Sequence, residues 1–146
     1  MSFSDFITPQ GKKVYKEAFI HLVQVSRTDK EISKAESELL HKEGRKFGLT
    51  DPEIESLMRA QRGHHYNPPY SLDEKFEHLY QVAQMILADE VVKESELKML
   101  RKFAIEAGFD DKTIDKLVHL LLEGIKKNKS EEELLAEFRK KHLFRD

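Results

Sequence analysis

The chain has no cysteine and no tryptophan among its 146 residues. Without cysteine there can be neither disulfides nor thiolate metal sites. Long apolar runs are missing too, and a bilayer-spanning helix takes about 20 such residues. The opening Met1-Ser2-Phe3-Ser4-Asp5-Phe6 lacks a basic segment followed by an apolar one, so no signal peptide is read and the cytoplasm is the expected compartment. Neither sign of charge dominates: 25 Lys and Arg stand against 27 Asp and Glu, for a net charge of −2. Neutralising phosphates needs a clustered basic excess, so nucleic acid is not the expected partner. Lys126-Lys127 with Lys129, and Arg139-Lys140-Lys141, are the basic clusters, and both suit the cation-favouring C-terminal turns of helices. Strand-type alternation is absent throughout. So is any Gly-rich phosphate cradle, or an array of Ser, His and acid that would give a nucleophile its base.

What the chain does have is charge and repetition. Charged residues make up 36% of it, against about 25% in an average protein. One pattern occurs twice, sixty positions apart: Asp29-Lys30-Glu31-Ile32-Ser33-Lys34-Ala35-Glu36 and Asp89-Glu90-Val91-Val92-Lys93-Glu94-Ser95-Glu96. The register continues beyond the motif. Glu17 matches Glu77, Gln24 matches Gln84, Leu40 matches Leu100, Lys42 matches Lys102, Gly48 matches Gly108 and Ile54 matches Ile114. Even spacing of identities in one register indicates a duplicated supersecondary unit.

The expected architecture is all-α and single-domain. Seven helices form a bundle of two duplicated three-helix units about a pseudo-twofold axis, plus a C-terminal helix. Repeat 1 covers about 12–61, a linker 62–70, repeat 2 about 72–121, and the last helix about 130–141. Residues 1–11 are read as an irregular arm, followed by a first helix from about Lys12 with Tyr15, Ala18, Phe19, Leu22 and Val23 on its inner face. Ser33…Glu36, Ser71…Glu74 and Ser130…Glu133 have the form of capping boxes. Gly48 and Gly108 suit left-handed C′ positions, and Gly44 with its twin Ala104 suggests close helix contact. Ile32 and Val92 are expected as buried plugs that seat the charged loops. The linker aromatics are expected to pack on the body.

These stretches resemble the TerB-like family, named for tellurite-resistance proteins and related to the N-terminal domain of a membrane-anchored J-domain co-chaperone. The resemblance runs over roughly Lys12 to Lys140. The family motif looks like Ala-Asp-Gly followed by a short spacer and Glu, whereas this chain has Lys30 and Glu90 at the glycine place and Thr28 at the first alanine place. The resemblance implies a seven-helix bundle, no established catalytic activity, a role in chemical-stress response, and motif acids as candidate metal ligands.

From the residues themselves, two readings of the motif stand. In one, Asp29 and Asp89 make Asx-turns and Glu36 caps its helix. In the other, Asp29, Glu31, Glu36, Asp89 and Glu96 offer oxygens to a divalent cation such as Ca²⁺, Mg²⁺ or Mn²⁺. The loop is too short for an EF-hand. His64-His65 reads as a surface pair, and His21 and His78 as packed on helix faces. The function expected is a non-enzymatic module that binds a protein partner, with a divalent cation as the candidate cofactor, as a monomer or homodimer. The alternatives are a metal-dependent acid/base enzyme using the motif carboxylates, and a purely structural interaction domain docking through Leu134, Leu135, Phe138, Leu143 and Phe144.

Overall fold

A computed structural model describes residues 3–9, 11–26, 32–88 and 91–141. Among them are seven α-helices: α1 (Lys16–Ser26), α2 (Lys34–Lys46), α3 (Asp51–Ala60), α4 (Leu72–Ile86), α5 (Glu94–Glu106), α6 (Ile114–Lys126) and α7 (Glu131–Lys140). A short 3₁₀ turn, Asp111–Thr113, leads into α6. No described helix is long and apolar enough to cross a membrane.

Local chemistry sets most helix ends. Reciprocal capping boxes form at Ser33 with Glu36, Thr50 with Glu53, and Ser130 with Glu133. At Ser71 the hydroxyl half is formed: its oxygen accepts the Glu74 N–H at 3.2 Å. Gly48 and Gly108 adopt φ of +85° and +95°, the left-handed conformation that lets the chain leave α2 and α5. The two exits match. Gly48 N–H donates to Arg45 C=O and Gly108 N–H to Ile105 C=O, both at 3.0 Å. Helices α2 and α5 are sixty positions apart at both ends.

The contacts between repeats are reciprocal. Helix α1 packs on α4, and α2 on α5. Lys42 bonds Glu96 at 3.2 Å, while its twin Lys102 bonds Glu36, the twin of Glu96, at 3.0 Å. Residue i meeting j′ while j meets i′ is what a twofold relation requires. The corners match as well: His41 bonds Glu55 at 2.7 Å where Arg101 bonds Asp115 at 3.1 Å. One hydrophobic core joins residues of both repeats with Leu134 and Phe138 of α7.

Four expectations need correction. A two-residue antiparallel hairpin exists, β1 (Phe6–Ile7) with β2 (Lys13–Val14), where an irregular arm was expected. Gly11, at φ +82°, turns it, and Thr8 N–H donates to Lys12 C=O at 2.8 Å. Phe6 holds the arm down by packing edge-on against Phe47 at 4.7 Å. Because Lys13 and Val14 belong to that pair, α1 starts at Lys16 rather than Lys12, and Tyr15 emerges on the surface at 46% exposure. Ile32 and Val92 are half-buried at the core's edge, not sealed plugs, since each precedes its helix and touches the core from one side. In the linker Tyr66 is buried on Phe103, with ring centres 4.9 Å apart, whereas Tyr70 is fully exposed.

Gly44 confirms the close approach expected of it. A Cβ there would lie 2.8 Å from Ile54 Cδ1 and 3.0 Å from Phe19 Cζ, so any side chain would push α2 off α1 and α3.

Candidate functional site

Of the five motif carboxylates, Asp29, Glu31 and Asp89 lie outside the described residues. Glu36 and Glu96 are described, and each does two jobs. Glu36 Oε1 accepts the Ser33 N–H at 3.1 Å and Oε2 accepts Lys102 Nζ at 3.0 Å. Glu96 Oε1 accepts the Lys93 N–H at 2.9 Å and Oε2 accepts Lys42 Nζ at 3.2 Å. Their surroundings differ: the Glu36 side chain is 21% exposed and the Glu96 side chain is fully buried. Both carboxylates therefore cap a helix with one oxygen and tie the opposite repeat with the other. A cation arriving at either would compete with an ammonium already there. Among the described residues, no group of three or more His, Asp or Glu is arranged to hold a metal ion.

Between α2 and α5 runs a groove of about 340 Å³. Twin positions line it, Ala35 with Ser95 and Leu39 with Met99, so it follows the seam between the repeats. Lys98 and Lys102 stand beside it.

The opposite seam, between α1 and α4, brings together residues that were read separately. His21 and His78 stack with ring centres 4.5 Å apart and planes 24° from parallel. Tyr66 from the linker closes over them, its hydroxyl 2.9 Å from His78 Nδ1 and its ring 5.3 Å from His21. A groove of about 260 Å³ opens here, lined by the imidazoles, Tyr15, Gln81 and the twin glutamates Glu17 and Glu77. Gln81 helps fix its floor, since its Oε1 accepts the Tyr15 N–H at 2.9 Å. With a shift of sixty, position 21 is the twin of 81 and position 18 of 78, so the meeting of His21 with His78 is matched by Gln81 and Ala18, which line the same groove. His64 and His65 are exposed and join neither seam.

Burial first, and then the charge of His78, lower His21 to about 4, against a smaller pull from Glu17. Burial also holds His78 below its ordinary value, opposed by Glu77 and Glu74. At neutral pH the stack is uncharged. Nearby Glu131 is pushed up to about 7, by burial and then by Glu77, Glu132 and Asp73. At the α2–α3 corner the balance is reversed: burial pulls His41 down, but its bonds to Asp51 and Glu55 outweigh this and hold it above the usual histidine value.

These shifts make stability depend on pH with a definite sign. An unfolded histidine titrates near 6.5, so between there and about 4 the unfolded chain binds more protons than folded His21 does. The stability contributed by the neutral imidazole is whole above pH 6.5 and is lost as pH falls towards 4. Glu131 acts in the opposite direction between its ordinary 4.5 and about 7, because there the folded state binds the extra proton. His21→Gln, which copies the residue at twin position 81, isolates the imidazole. Denaturant unfolding at pH 7.5 and 5 is expected to show the wild-type minus variant difference shifting by about 1–2 kcal/mol against the wild type at the lower pH. An unchanged difference would mean that folded His21 titrates normally.

The apolar tail face has a different fate from the docking surface considered above. Leu134 and Phe138 are buried in the core and Leu135 is half-buried, while Leu143 and Phe144 lie outside the described residues. The chain matches no protein-family model, no curated protein and no solved structure.

Proposed function

We propose that this chain is a non-enzymatic, TerB-like helical module that serves a tellurite-type chemical-stress response by binding a protein partner. The duplicated three-helix unit, with an acidic motif before the second helix of each copy, supports the family reading. The observation that carries the binding reading is the α1–α4 groove. Its twin carboxylates, Glu17 and Glu77, are exposed and have no ion-pair partner among the described residues. At the other seam, by contrast, Glu36 and Glu96 are engaged with lysines. A groove with fixed walls and uncommitted charge suits recognition of a complementary surface.

Cross-linking in cells tests this. A photoreactive residue in place of Gln81, in the groove lining, is expected to capture one defined protein from tellurite-stressed cells. The same residue at exposed Lys112, on the 3₁₀ turn, is expected not to capture it. Loss of the gene should raise tellurite sensitivity. No specific capture and unchanged sensitivity together would overturn the proposal. The divalent-cation reading is checked alongside: if an ion binds at Glu36, millimolar Ca²⁺, Mg²⁺ or Mn²⁺ raises the melting point of the wild type and raises that of Glu36→Gln less.

A further inference from the structure

We infer that the α1–α4 groove receives an arginine side chain of the partner, its guanidinium held between Glu17 and Glu77 and lying against Tyr15. This inference rests on the protein-binding reading above and names the chemistry of what is bound.

Size comes first. At about 260 Å³ the groove has room for one long side chain. Charge comes next. The two glutamates sit at twin positions on two helices that pack together, so they approach the groove from both sides. Glu74 lies one turn before His78, and Glu77 adds to the burial that raises Glu131. The neighbouring cation, Lys13, is turned to Asp5 at 3.6 Å and lies 5.2 Å from the centre of the Tyr15 ring. That ring thus already meets a cation, and at 46% exposure it has surface left for another. The stacked imidazoles are neutral at pH 7, so they add apolar wall without repelling a positive charge.

Arginine fits this set better than lysine. Its planar fork offers several N–H donors to two carboxylates at once, it stacks on aromatic faces, and it sheds water more readily than an ammonium does. A lysine would bring a compact, strongly hydrated point charge with no planar fork to span the two carboxylates.

The test uses the full chain, labelled with ¹⁵N, and blocked peptides that differ at one residue: arginine, lysine or citrulline. The arginine peptide is expected to shift the amides of Tyr15, Glu17, His21, Glu77, His78 and Gln81 saturably. The citrulline and lysine peptides should bind at least tenfold more weakly. Glu17→Gln with Glu77→Gln should abolish the shifts, and its well-dispersed spectrum will show that it is folded. The inference is overturned by an absence of saturable shifts, by equal binding of all three peptides, or by shifts that map to the α2–α5 groove. The two proposals fail separately. Capture of a partner at Gln81 without arginine-peptide binding removes this inference and leaves the module reading. Peptide binding without a cellular partner does the reverse.

Discussion

Phe138→Ala is expected to lower the unfolding free energy by about 3–5 kcal/mol, the range for emptying a buried phenylalanine site. The ring is fully buried on α7, 5.6 Å from Phe76 of α4 and edge-on to Phe109 at 5.7 Å. Neither neighbour can close the gap easily. Phe76 is itself fully buried in the second turn of α4, and Phe109 follows the fixed turn at Gly108. Helix α7 lies outside the duplicated units, so a tail that merely rested on a finished bundle would come off at little cost. Here it completes the core. The melting midpoint should fall by about 6–20 °C, from roughly 2–4 °C per kcal/mol for a chain of this size. Two separate transitions, with α7 leaving first, would show that the tail is an appendage.

The second large effect separates two ion pairs of the same geometry. Lys42→Met is expected to cost about 2–4 kcal/mol, because it strands Glu96, whose side chain has no exposure to water. Lys102→Met is expected to cost about 1 kcal/mol or less, because Glu36 is 21% exposed and water can replace the ammonium. The bonds are alike, at 3.2 and 3.0 Å, and the carboxylates they reach differ in burial. Replacing both Lys42 and Glu96 with methionine should recover much of the loss, since the larger part comes from leaving one charge buried alone. Equal losses for Lys42→Met and Lys102→Met, read from denaturant midpoints, would refute the burial account.

Much of the fold was legible in local chemistry. Ser33 with Glu36, Pro52 after Thr50, Gly48, Gly108 and Ser130 mark helix ends through bonds made within a few residues, and such bonds survive in almost any tertiary setting. The hairpin was not legible, because a two-residue pairing has no periodicity of its own. It exists because Phe6 finds Phe47, some forty positions away. The burial of Glu96 was hidden for a related reason. A glutamate in a charged stretch reads as solvated, and it takes Lys42 from the other repeat, together with the Lys93 N–H, to make an interior position tolerable. The histidine stack was not legible either: the register of sixty makes positions 18 and 21 equivalent to 78 and 81 but does not say which of them touch. The paired motif pointed to the α2–α5 seam, and its described acids lie there, but they are used to join the repeats. The groove with uncommitted charge lies on the other side, where the motif gives no signal.

The crossed lysine–glutamate ties have a consequence for the nascent chain. Repeat 1 carries one member of each tie, Glu36 and Lys42, and the inter-repeat bond of each forms only once repeat 2 is present. At about 5–20 residues per second, the ribosome takes about 3–12 s to deliver the sixty residues that separate the halves. During that interval an early half exposes an apolar face beside a self-complementary pair of charges, and the surface that best matches it is another early half on a neighbouring ribosome. Crowded polysomes are therefore where this fold is open to exchanging halves between chains, and slow codons between the repeats would lengthen the exposure.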